Sequence, residues 1–171
     1  MVSAYESAMS RGDPNRSRPE MRERGSGKGR FVKWEIVEPR GGDAHVLTVV
    51  GPVTVRFTLE IYELLPKGTH GIALFNHDRQ LIWGWAAFDQ EIAAGEHEFC
   101  YRFPMLPLRP GAYSWAVSLY DDLDEVDAWE CMPELVIATE NHQHRYDEWN
   151  GVLNIPSEFS MLRKPTQSSG A

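Results

Sequence analysis

The feature that most constrains this chain is the run LPLRPGAYSWAVSLY at residues 106–120, in which a Pro-Gly turn leads into strict two-residue alternation. Successive side chains of a strand point to opposite faces, so Tyr113, Trp115, Val117 and Leu119 share one face. Ala112, Ser114, Ala116, Ser118 and Tyr120 share the other. The first set reads as a core row. The second is small and polar, and leaves room for a ligand to approach the sheet.

The same period recurs from Phe31 to about Ile137, punctuated by turn signals at Gly41-Gly42, Gly51-Pro52, Lys67-Gly68, Asn76-His77-Asp78, Ala94-Gly95 and Pro110-Gly111. Spacings of roughly ten residues mean a sandwich or a barrel. Val53, Val55, Phe57, Leu59 and Ile61 alternate with Thr54, Arg56, Thr58 and Glu60, giving one dry face and one wet one. Val32, Trp34 and Ile36 join the expected inward set, with Ile72, Leu74, Ile82, Gly84, Phe99, Tyr101, Phe103, Leu135 and Ile137. The expected fold is all-β, with two antiparallel sheets packed about 10 Å apart.

Residues 81–88, LIWGWAAF, carry the main aromatic signal. If Ile82 and Gly84 are buried, Trp83 and Trp85 stand together on the wet face. Their spacing of about 7 Å suits stacking against successive sugar rings. A slip of one residue would put both indoles in the core instead, and the sequence leaves both registers open.

With 171 residues, 42% of them hydrophobic, the chain can bury one sizeable core. A net charge of −8 argues against nucleic acid or an anionic membrane surface as partner. No stretch approaches the roughly twenty apolar residues of a membrane span, and the amino end lacks the apolar region of a signal peptide. A soluble cytoplasmic chain is expected, with Cys100 and Cys131 as free thiols.

Residues 1–29 read as a short helix, with Val2, Tyr5 and Met9 at helical spacing, followed by a flexible linker rich in Arg, Glu and Gly. Residues 30–159 form the expected domain, and 160–171 a disordered tail. Within the domain, residues 149–155 read as a last strand after a long connection, able to fold back on its own chain or pair with a neighbouring copy.

Motifs for chemistry are absent. The GSGKG run at 25–29 lacks the glycine spacing and the Lys-Ser/Thr of a phosphate loop, and reads as linker. The acidic run at 121–127 lacks the turn glycine and final Glu of a calcium loop, and reads as a solvated hairpin loop. His142 and His144 with Asp147 or Glu148 make too sparse a set for a metal, and His45, His70, His77 and His97 fall at expected turns or strand ends. No catalytic residue, metal or cofactor is expected. The candidate ligand-facing residues are Trp83 and Trp85 for stacking and Ser114, Ser118 and Tyr120 for hydroxyl contacts. Asn76, Gln90 and Asp121 lie at nearby turns, and Trp129 and Tyr62 are secondary aromatics.

Four segments carry a family resemblance: GIALFN from Gly71, QLIWG from Gln80, FPMLPLRPGAY from Phe103 to Tyr113, and NGVLNIP from Asn150. In order and spacing they resemble the C-terminal domain of Wzt-type ATPase subunits of ABC transporters, over about residues 30–159. The resemblance implies an immunoglobulin-like sandwich that binds an exported polysaccharide, a lipid-linked O antigen, at the inner face of the inner membrane. It implies a homodimer that exchanges its final strand, and contact with the membrane-spanning subunit through an upstream ATPase domain to which ATP chemistry would belong. The chain departs from the usual pattern at Trp83, Trp85 and Trp115. A rival reading is a dimerisation module whose aromatic face meets protein rather than sugar.

Overall fold

A computed structural model describes residues 25–138, 151–153 and 155. Among them the regular elements are all strands, arranged as two facing sheets. The smaller contains β1 (Gly29–Glu38), β3 (Val53–Ile61) and β6 (Gly95–Phe103), in the order β1-β3-β6. The larger contains β2 (Val46–Leu47), β4 (Leu65–Asn76), β5 (Leu81–Ile92), β7 (Gly111–Asp121), β8 (Asp124–Glu130) and β9 (Leu135–Ile137). Its order is β2-β9-β7-β4-β5, and β8 pairs with the far end of the same β7 edge that holds β9. Every pairing of strands is antiparallel except the two-residue match of β2 with β9.

The alternation of β3 and β7 survives intact, because apolar rows on two facing sheets bury each other. Phe57 sits at the centre, stacked on Trp34 at 6.4 Å and edge-on to Trp115 at 6.0 Å. Tyr113 closes the turn into β7, its hydroxyl donating to the carbonyl of Arg109 at 3.0 Å. A tyrosine bonded back to upstream backbone in this way is a recurrent corner of immunoglobulin-like sandwiches.

Three expectations shift by a residue or an element. A bulge between Phe31 and Lys33 turns Phe31 into the core and leaves Val32 exposed. The Lys67-Gly68 turn signal marks a bulge within β4, and Gly68 is required there because a Cβ would lie 2.8 Å from the carbonyl oxygen of Gln90. The register of β5 is inverted. Trp83 and Trp85 lie opposite Leu74 and Ile72 of β4, which are core residues, so both indoles point between the sheets and Gly84 points outward.

The two long sides of the sandwich are closed by different means. On the β1–β8 side, residues 25–29, assigned to the linker by sequence, lie on the sandwich. The Ser26 N–H donates to the Glu125 carbonyl at 2.8 Å, and the Lys28 ammonium meets the Asp121 carboxylate at 2.7 Å. The Phe31 N–H donates to Asp127 Oδ2 at 2.7 Å. Asp121 and Asp127 of the acidic run are therefore buried, correcting its reading as a wholly solvated loop. On the opposite side β5 and β6 are unpaired, and aromatic rings fill the gap between them.

Neither cysteine forms a disulfide: Cys131 is buried, and Cys100 is exposed on the outer face of β6. Leu153 bridges Leu108 of its own chain, and the Arg109 N–H donates to the Val152 carbonyl at 3.2 Å. The remainder of the expected final strand, and His142 and His144, lie outside the described residues.

Candidate functional site

Register decides which of the expected site residues meet. Ser118 pairs with Gly71, which pairs with Ala86; Ala116 pairs with Ala73, which pairs with Gly84. Residues opposite one another in a ladder share a face, so these six lie together on the outside of the larger sheet. Ser114 and Tyr120 lie on the same face of β7. The result is a shelf with a floor of Gly and Ala across three strands.

The shelf is sunk. Ser118 is 5% exposed and its Oγ has no hydrogen-bond partner. An added Cβ on Gly71 would lie 2.9 Å from that oxygen, so only glycine leaves it clear. Ser114 donates to Glu134 at 3.3 Å, and the Tyr120 hydroxyl donates to Glu125 at 3.1 Å. At one end the Arg79 guanidinium lies over the Phe75 ring at 5.8 Å and is ion-paired with Glu130. These side chains form a polar rim round an apolar floor of backbone and methyl groups.

Trp83 and Trp85 cannot serve that surface, because they project from the other face of the same sheet. The sequence reading joined two groups that the fold separates. Trp83 packs edge-on against Phe103, Tyr101 and Trp115, at 5.0, 6.4 and 6.4 Å. Trp85 stays 49% exposed, with Tyr101 and His70 at 5.8 and 6.2 Å. His70 is also a correction: it is a buried member of the inward row of β4, with its ring 4.5 Å from Phe99. Burial lowers its pKa to about 4, outweighing the backbone of Ser118 and Gly71. Two-residue spacing from Ile72 and Leu74 was the signal that could have placed it. Trp129 is likewise buried, while Tyr62 is exposed as expected.

The outer face of the smaller sheet is of another kind. Arg56 bridges Glu35 and Glu98 at 2.7 and 3.0 Å, Lys33 meets Glu35 at 3.1 Å, and Arg30 meets Glu60 at 3.0 Å. Arg56 and Lys33 hold the Glu35 carboxyl below its ordinary pKa. A hollow of about 930 Å³ lies where this face meets residues 39–42, but its Thr54 and Glu38 are hydrogen-bonded to each other and Arg56 is held by Glu35. Among the described residues, no group of three His, Cys, Asp or Glu side chains is placed to hold a metal. Nor is any helix there long and apolar enough to cross a membrane.

Two covered inner faces, one ion-paired outer face and one outer face of small residues define a β-sandwich domain. The model of the Wzt C-terminal domain matches residues 20–146, and the chain belongs to that family. Membership places it with the non-catalytic C-terminal domains of Wzt transporter subunits. A crystal structure of the C-terminal domain of Wzt shares the fold, with a TM-score of 0.55 and 17% identity over 81% of this chain and 86% of that one. Two β-glucuronidases overlap it more loosely. One, from glycoside hydrolase family 2, has a TM-score of 0.43 and 10% identity over 60% of this chain and 12% of its own. The other, from Bifidobacterium dentium and complexed with coumarin-3-O-glucuronide, has a TM-score of 0.34 and 15% identity over 61% and 17%. None of the curated proteins compared matches the sequence.

Proposed function

We propose that this chain is the substrate-recognition domain of a Wzt-type ABC exporter and that it binds a cell-surface polysaccharide, of the lipid-linked O-antigen kind, on the outer shelf of the larger sheet. It acts on the cytoplasmic side of the inner membrane, as a homodimer that exchanges its last strand. An upstream ATPase domain connects it to the membrane-spanning subunit. The observation that carries this reading is the Gly84–Ala73–Ala116 row, a floor low enough for a bulky chain to reach the sheet. Ser118, with an unused hydroxyl, and Ser114 and Tyr120 at the rim supply the polar contacts that sugar hydroxyls need.

The test is calorimetric titration of the full chain with the lipid-free surface polysaccharide of its source bacterium, beside an Ala116→Trp variant. The variant fills the shelf without entering the core, so binding falls at least about tenfold while the melting temperature holds. Failure of the unaltered chain to bind rejects the reading, and full binding by the variant moves the site elsewhere. Sedimentation of a chain ending at residue 140 tests the exchanged strand, since a truncated chain that still dimerises rejects it.

A further inference from the structure

Buried polar atoms are almost always paired, so several orphans in one place call for an explanation. The aromatic side of the sandwich holds three: His70 Nδ1, Tyr101 Oη and Trp115 Nε1. They lie along one chain of ring contacts, His70 to Tyr101 at 5.5 Å, Tyr101 to Trp83 at 6.4 Å and Trp83 to Trp115 at 6.4 Å. His70 is 93% buried, from its 7% exposure. Trp85, half exposed, is in contact with both His70 and Tyr101.

We propose that the β5–β6 side is a second ligand site, separate from the shelf, that takes one uncharged ring bearing hydroxyl groups, a pyranose being the commonest. The ring stacks on Trp85, and rotation of that indole brings the ring hydroxyls to Tyr101 Oη and His70 Nδ1. Trp115 Nε1 lies deepest and can only donate, while Tyr101 can donate and accept. A hydroxyl does both, which suits a mixed set of unsatisfied donors and acceptors. The apolar face of a pyranose matches an indole surface.

The site discriminates against charge. His70, Trp83, Trp85, Phe99, Tyr101 and Phe103 line it, and none carries a formal charge at neutral pH, burial keeping the imidazole uncharged. An anionic or cationic sugar would give up its water for no counter-charge. The opposite edge is held by polar bonds from Ser26, Lys28 and Phe31 to β7 and β8, whereas here no hydrogen-bonded ladder joins β5 to β6. Because β5 carries the shelf on one face and these rings on the other, the two sites are tested independently.

The experiment is an NMR titration of the isotope-labelled full chain with the methyl glycosides of glucose, mannose and galactose. Each is added to about 0.1 M, which fills a site of millimolar affinity. At least one glycoside is expected to shift the indole N–H signals of Trp85 and Trp115 together. Trp85→Ala and Tyr101→Phe each weaken that binding at least about fivefold, and Arg56→Gln, on the ion-paired outer face of the smaller sheet, leaves it unchanged. Tyr101→Phe removes only an unpaired hydroxyl, so it keeps the fold and reads the contact directly if Trp85→Ala does not fold. Absence of shifts with all three glycosides, shifts confined to the outer shelf, or full affinity in Tyr101→Phe overturns the proposal.

Discussion

The β1–β8 side and the β5–β6 side close the same sandwich by opposite means. The first is latched by directed polar bonds, Lys28 to Asp121 and the Phe31 N–H to Asp127, each linking residues more than ninety positions apart. The second is packed with aromatic rings, with polar atoms left over. Directed bonds fix one geometry, whereas edge-on aromatic contacts are individually weak and tolerate rearrangement. The contrast teaches where the molecule is built to stay shut and where it can yield.

The comparison breaks most sharply at Trp83. Its indole fills the gap between Tyr101, Phe103 and Trp115, and replacement by Ala should cost about 3 kcal/mol or more, measured by urea unfolding. A near-neutral Trp83→Ala would mean that the rings do not hold that side together.

Next comes acid. The folded-state pKa of His70, about 4, lies below its ordinary 6.5, so the unfolded chain binds the extra proton first. Stability should be full above about pH 6.5 and fall between there and about pH 4, by up to roughly 3 kcal/mol. Tyr101 is the one titratable group among its ring neighbours. Melting curves across this range should flatten in His70→Phe, and an unchanged slope would show that the imidazole is not held neutral by burial.

On the latched side, Asp127→Ala leaves the Phe31 N–H without its acceptor, for an expected loss of about 1–3 kcal/mol. Hydrogen exchange should then quicken along β1 and leave β5 as it was. The smallest effect belongs to Lys28→Met, since the ammonium is partly in water. A slight drop in the unfolding midpoint, vanishing in high salt, is the expected result; a large one would make the ion pair the main latch.

Much of the fold was legible because apolar period and burial coincide in β3 and β7, where every second residue from Val53 and from Tyr113 is in the core. In β5 the pattern is ambiguous by chemistry. Ile82, Trp83 and Trp85 all favour burial, and what decides between registers is pairing with Ile72 and Leu74 of β4, a fact about a neighbour. The shelf was half visible: Ala112 to Tyr120 announced a small-residue face, but Gly71, Ala73, Gly84 and Ala86 form its floor only once three strands lie side by side. His70 was read as lying at a turn or strand end, close after the Lys67-Gly68 turn signal, and the bulge at Gly68 carries the strand through it. Asp127 looked solvated because no sequence pattern announces that a backbone donor ninety-six residues away lacks an acceptor.

The placement of the two thiols has a practical consequence. Cys131 is shut inside the protein, while Cys100 stands on the ion-paired outer face of the smaller sheet. A maleimide dye or spin label would therefore attach to the native chain at one position, on the side turned away from the glycine-and-alanine surface. Ligand capture there could be followed by distance-dependent quenching, without engineering a cysteine or burdening the surface under study.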